Sequence, residues 1–506
     1  MSAIQSPLFE PVLWQDGGFK ILDEIVLPDE VSYIEVSAVS QALDAVRQMK
    51  TRAFGQVLTF LYSGALLAQS HAQENPDALR RRIAEMTEKF CAARPTFDFA
   101  GLGCFFEEWL QKLPPGIPAG EAVAKQAREF GRQIVRGRLV RAQLAASILP
   151  NPARVMTHCN VSGELVAIAR YCKASGKEFS VIASETRPYL QGARLTAWEL
   201  AQAGVTVSLI PDCAVAQVLA DADANTIIVG ADRVAQNGDI INKVGTYPLA
   251  LMAKEYGVPF HALVQEPRLL ATGADVDIEE RPANELLIFQ GEPLVAASGG
   301  RALNARYPAF DVTPASLVTR LIGFDALYTP ETFQRKYQTQ EADRTNGRET
   351  SGKYVLVYGV PPKHQYPFLL SALKAEHGES VLVPEMRPQL WGAQVVAREL
   401  VERGIPTTLI SDNMMGTLFA HGEICKLCLF YDDLTEAGPK AICGALFAVR
   451  LSRLHGVAVE LFNAAAQSGL PMDADVTTFL GHNICPRGVV ARAVGAEVIP
   501  WSLFKT

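Results

Sequence analysis

Cys159 and Asp232 each close a short apolar run, the place where a parallel sheet presents side chains to a ligand. In RVMTHCN the Cys159 thiol can face a pocket and have its acidity set by local fields, although a lone cysteine is more often a half-buried structural thiol. In VGADRV the Asp232 carboxylate meets low dielectric, which raises its pKa toward general acid–base use; its plainer role is to cap the next helix. Asn242 and Lys243 stand just before Gly245 and Thr246, and a lysine at the mouth of a helix, beside exposed backbone amides, suits a phosphate ester. A solvated surface lysine is the competing reading. Arg52 in KTRAFGQ and Arg94 in ARPTF are uninformative one at a time, and Arg187 and Gln191 in ETRPYLQGA could orient a sugar or cap a helix.

Two motifs are set aside. Cys425 and Cys428 have CxxC spacing but fall inside the strand KLCLFYDD, with no second pair at zinc-ribbon spacing, so no metal is expected. His158 beside Cys159 resembles a dyad, yet neighbours on a strand point to opposite faces.

These residues need a scaffold. The segments RVMTHCN, FSVIAS, VTVSLI, TIIVGAD and VPFHAL alternate with amphipathic stretches, which implies a parallel sheet covered by helices on both faces. THCN, ETRP, PDC and GADR then sit at strand ends and are expected to line one site. Ahead of them, residues 18–37 read as a hairpin, and Val39 to about Gly137 reads as helical with a break at Pro114 to Pro118. The uncharged run Ala53 to Ser70 carries Gln56, Thr59, Ser63 and Gln69, so it reads as a buried helix and no membrane span is expected.

The chain also says one thing twice. ETRPYLQGA at 185 returns as EMRPQLWGA at 385, and over 185–220 and 385–420 the ungapped shift matches 14 of 36 positions, too many for unrelated helices. Residues 1–145 are expected to form a hairpin plus helical domain, 146–330 a Rossmann-like catalytic domain, 331–353 a polar linker and 354–506 a second, non-catalytic Rossmann-like domain. The same shift carries Cys159 to Gly359 and Asp232 to Asp432, so only the first copy keeps the thiol. The net charge of −7 argues against binding nucleic acid through its backbone, and nine cysteines at irregular spacing fit a reducing, cytoplasmic setting.

Taken together, FKILDEIVLPDEVSYIEV, ARPTF, MTHCN, ETRPYLQGARLTAWEL, IIVGADRVAQNGDIINKVGTYPLA, IEER and YPAFDVTPASL resemble the methylthioribose-1-phosphate isomerases. That superfamily also holds ribose-1,5-bisphosphate isomerase and regulatory subunits of initiation factor 2B. The resemblance runs from about Phe19 to Ile322 and implies an aldose–ketose isomerase acting on a C1-phosphorylated pentose, without metal or cofactor. It implies Cys159 and Asp232 as the catalytic pair and Arg52, Arg94, Gln191, Asn242 and Lys243 as substrate contacts. The alternatives it leaves open are a ribose-1,5-bisphosphate isomerase and a non-catalytic sugar-phosphate or nucleotide-binding regulator. One departure bears on the choice: the family's RGA turn reads Arg52, Ala53, Phe54 here. Because relatives pair through their α/β domains, the second copy is expected to dock on the first as a pseudo-dimer mate, with further homo-oligomers possible.

Overall fold

The computed structural model describes residues 6–15, 17–95, 97–114, 116–268, 270–296, 303–337, 352–464, 475–492 and 494–504. It opens with a three-stranded antiparallel sheet, Val12–Gln15, Gly18–Leu22 and Tyr33–Val36. The first strand lies outside the expected hairpin because four residues are too few to display a period. Five helices follow, Val39–Arg47, Ala53–Ser70, Pro76–Ala93, Phe99–Gln111 and Ala119–Ile148. Local chemistry starts two of them: Asn75 accepts from the Ala78 amide with Pro76 in the first turn, and Asp98 accepts from the Gly101 amide. Ala53–Ser70 is apolar almost all round because its neighbours bury most of its surface. Among the described residues no helix is long and apolar enough to cross a membrane.

Ala119–Ile148 spans 30 residues and belongs to two layers at once. Its first half packs in the helical domain, while Arg138 and Arg141 in its second half form buried ion pairs with Glu164 on the helix Glu164–Ala174. The boundary expected at 145 therefore falls inside one continuous helix.

The first α/β unit holds parallel strands in the order Arg320–Ile322, Phe260–Leu263, Thr226–Gly230, Ala153–Thr157, Phe179–Ser184 and Thr206–Ile210, with Leu327–Tyr328 antiparallel at one edge. The second repeats the central order with Ala458–Asn463, Ile424–Tyr431, Tyr354–Tyr358, Ser380–Pro384 and Thr407–Ile410. The sheets do not respect the expected boundaries. Asn304–Ala305 adds to the second sheet beside Thr408 and Leu409, and Val490–Ala491 adds to the first beside Ser208 and Leu209. Each unit thus lends the other an edge strand, received at positions 200 residues apart, Ser208 and Thr408. Two-residue strands carry no period, so nothing local announces the exchange.

Buried charges repeat the reciprocity. Arg187 pairs with Glu385 and Arg387 with Glu185, all four side chains being almost fully buried. Around them one apolar core runs through both units, joining Cys213, Val215 and Leu249 to Met415, Leu418 and Leu446. The linker begins later than expected. Residues Pro330–Tyr337 form a helix whose Phe333 is buried, with Phe333 and Tyr337 both packed edge-on against Tyr328, a four-residue apolar spacing that the polar composition hides. Of the rest of that expected linker, 338–351 lie outside the described residues.

Candidate active site

Between the helical domain and the first unit lies a cavity of about 570 Å³, lined by all seven residues that the resemblance implies as catalytic or substrate contacts. Arg52 and Arg94 reach it from the helical domain; Cys159, Gln191, Asp232, Asn242 and Lys243 come from strand ends and turns of the first unit. Among the described residues none from 354 onward lines it.

Cys159 follows the strand Ala153–Thr157 and takes φ +64°, a left-handed conformation that costs a non-glycine residue about 1–3 kcal/mol. Two hydrogen bonds hold it there: its amide donates to Thr186 Oγ1 (2.8 Å) and its carbonyl accepts from Thr196 Oγ1 (2.7 Å). Asn160 fastens the same turn by donating to Glu199 Oε1 (2.9 Å). Strain maintained by surrounding bonds is characteristic of functional turns. Burial pushes the Cys159 thiol up to about 11, opposed by the positive charge of Lys243, so the group is a thiol at neutral pH.

Asp232 is half-buried and opens on the cavity, where burial raises its carboxyl pKa against the pull of Lys243 and Arg94. A short strand, Arg233–Val234, follows it, so Asp232 does not cap a helix. Lys243 ends the strand Ile240–Lys243 and donates to the Tyr307 hydroxyl (3.0 Å). The Tyr189, Tyr307 and Phe310 rings surround its ammonium at 5.2–5.4 Å, a cage that favours the cation while burial lowers its pKa.

The helix beyond Lys243, Thr246–Glu255, is not open to an anion as its sequence suggested. Asp311 already accepts from the amides of Gly245 (2.7 Å) and Tyr247 (3.1 Å). A free helix start lies instead at Ala53, where Arg52 precedes the first turn without a side-chain cap. Arg52 Nε, Arg94 Nε and Gln191 Oε1 are buried atoms with no hydrogen-bond partner among the described residues. Uncapped amides and guanidinium groups beside the thiol and carboxyl suit a phosphate ester with neighbouring hydroxyls. No group of three or more His, Cys, Asp or Glu side chains is arranged among the described residues to hold a metal ion.

Three residues suggested by the sequence stand elsewhere. Asp212 accepts from the amides of Thr186 (2.8 Å) and Arg187 (2.7 Å), which fixes the turn leading to Gln191 from behind, and Cys213 packs against Cys443. Arg187 crosses to Glu385 and does not line the cavity. PDC therefore serves the contact between units rather than the cavity. His158 also faces away from Cys159: its Nε2 donates to the Val244 carbonyl (2.9 Å), leaving Nδ1 to accept from Ser184 Oγ (2.7 Å). Burial lowers its pKa to about 4, so it stays neutral.

The structure adds residues that were passed over. Glu279 lies 3.8 Å from Arg94 and 2.7 Å from Arg281, and Arg281 in turn pairs with Glu285, to which Tyr189 donates. Glu279 and Arg281 belong to IEER and Tyr189 to ETRPYLQGA, motifs already noted without these side-chain roles, whereas Glu285 lies beyond them and carried no signal.

Comparison with known proteins places this geometry in context. The family model "Initiation factor 2 subunit family" matches residues 56–323 and 335–430, more than half of the chain. Methylthioribose-1-phosphate isomerase of Desulforudis audaxviator (strain MP104C) is 36% identical over 330 residues, 62% of this chain and 92% of that protein. The protein of the same name from Geobacillus kaustophilus (strain HTA426) is 37% identical over 327 residues, 62% and 90% of the two chains. Among solved structures, 5-methylthioribose 1-phosphate isomerase of Pyrococcus horikoshii OT3 superposes with TM-score 0.56 at 28% identity, covering 64% of this chain and 93% of that one. The translation initiation factor eIF-2B subunit delta of A. fulgidus does so with TM-score 0.53 at 29% identity, covering 63% and 96%.

Proposed function

The chain belongs to the initiation factor 2 subunit family, and from that premise we propose that it is an aldose–ketose isomerase acting on a pentose phosphorylated at C1, such as methylthioribose 1-phosphate. The observation that carries the reading is a protonated thiol and a raised carboxyl in one cavity, both within the field of a caged ammonium.

Isomerising such a sugar breaks the bond between C1 and the ring oxygen and moves the hydrogen of C2 to C1. The C2 hydroxyl loses its proton to leave a carbonyl, and the ring oxygen gains one. An acid and a base are therefore needed at different oxygens. Cys159, which holds its proton at neutral pH, serves as the acid toward the ring oxygen, and the thiolate it leaves is stabilised by Lys243. Asp232 serves as the base toward the C2 hydroxyl. Arg52 and the helix start at Ala53 hold the phosphate, while Arg94, Gln191 and Asn242 meet the hydroxyls. The second unit, in this reading, stands where a partner subunit would and has no site of its own: counted back from the matching helix starts at Gly245 and Gly444, Asn242 and Lys243 correspond to Ala441 and Ile442.

One observation favours a second reading, a regulator that binds the sugar phosphate without turning it over. Ala53 takes φ +39° at the position where the resembled family has glycine, which strains the phosphate turn. Phosphorus NMR separates the two: incubation with methylthioribose 1-phosphate should yield the ketose 1-phosphate. Calorimetric binding without conversion would assign the regulator.

A further inference from the structure

Glu24 lies at the end of the N-terminal sheet, lines the cavity, and appears in no step above. It is buried, and its Oε1 accepts from the Arg52 amide (3.0 Å) and the Thr51 hydroxyl (3.3 Å). Its own amide donates to the Lys50 carbonyl (2.8 Å), so backbone and side chain together clasp residues 50–52. The clasp is close enough to dictate Gly55: a Cβ there would come within 2.0 Å of Thr51 Oγ1 and 3.4 Å of Glu24 Oε1. One carboxyl oxygen therefore sets where Arg52 and the following helix start are presented.

We propose that Glu24 is a positioning residue for the phosphate turn, holding Arg52 in place and coupling anion binding to its own protonation. The inference rests on the reading of that turn as the phosphate site. A carboxylate beside a phosphate dianion repels it in a medium of low dielectric, whereas the neutral acid still accepts the same two hydrogen bonds through its carbonyl oxygen. Burial pushes Glu24 up to about 7, opposed by Arg52 and reinforced by Asp23, so the coupling falls in the neutral range. Among the described residues those are the charged groups that act on it, and Asp23 is itself paired with Lys50 (3.4 Å). The sign follows from linkage: below pH 7 Glu24 is protonated and the dianion binds well, and above pH 7 binding must take up a proton.

The test is KM for methylthioribose 1-phosphate between pH 6.5 and 8.5, for the native chain and for Glu24→Gln, with calorimetric Kd over the same range. The native KM and Kd are expected to rise, approaching tenfold per pH unit at the upper end. Glu24→Gln, which keeps the accepting oxygen and cannot ionise, is expected to show a flat profile. Glu24→Leu should raise KM at every pH by losing the clasp. A flat profile for the native chain overturns the coupling while leaving the isomerase intact. Glu24-linked binding without turnover overturns the isomerase and keeps the coupling, and absence of binding at every pH overturns both.

Discussion

The two α/β units share strand order, a reciprocal pair of buried arginines and the same way of capping a helix, yet they treat one backbone position differently. Asp311 caps the helix after Gly245, and Glu497 accepts from the Leu446 amide (2.8 Å) at the corresponding helix after Gly444. Even the His158 bond to the Val244 carbonyl has its like, in the Tyr358 hydroxyl donating to Cys443 (2.9 Å). At the turn between, the first unit strains a cysteine at φ +64° and the second has Gly359 at +90°. The backbone shape survives where the thiol does not. The scaffold and the strain are thus separable: the left-handed turn belongs to the fold, and the cost of putting a thiol on it is borne only where a helical domain closes a cavity over it.

The largest way to break this comparison is to remove one unit. A chain ending at Tyr337 loses the strand Val490–Ala491, both arginine–glutamate pairs and the far side of the shared core. It is expected to be insoluble or to self-associate, as light scattering would report. A soluble, stable monomer would show that the units are independent.

Next in size, Arg187→Met leaves Glu385 buried without its partner and should cost about 3–5 kcal/mol in denaturant unfolding. The matching change, Arg387→Met, should cost a similar amount if the reciprocity is energetic as well as geometric. A loss below about 1 kcal/mol for either would mean that the charges find other partners.

A smaller effect sharpens the contrast at the turn itself. Gly359→Cys should destabilise by at least about 1–2 kcal/mol through its positive φ alone, and an added Cβ would come within 2.2 Å of the Phe430 carbonyl oxygen. No turnover should be gained, because Ile442 stands where the first unit has Lys243. Unchanged stability would show that the second turn adapts more freely than its geometry implies.

Much of the site was legible because its residues lie at the ends of apolar runs, and topology alone brings strand ends together. Cys159 and Asp232 meet for that reason, Lys243 joins them from a small antiparallel sheet that follows, and Arg52 and Arg94 join them through motifs whose order matched a known family. What could not be read depends on distance. Asp311 blocks the helix start beside Lys243 from 66 residues further on, so the amides that looked open are filled. Arg187 was offered to a sugar because its true partner, Glu385, is 198 residues away in the other unit. Glu24 was passed over because a carboxylate in a surface-like turn, DEIVLPDE, gives no sign that Arg52 will be folded onto it. The exchanged edge strands are too short to leave any pattern.

The most direct test of the account compares Cys159→Ser, Asp232→Asn and Asp432→Asn in turnover of methylthioribose 1-phosphate, followed by phosphorus NMR. These changes nearly conserve volume, so folding should persist and thermal melts should confirm it. The first two are expected to lower the rate at least ~100-fold, the scale on which a positioned acid or base contributes, and the third to leave it within about twofold. Normal turnover by Cys159→Ser, or a comparable loss on changing Asp432, would contradict the assignment of the chemistry to the first unit alone.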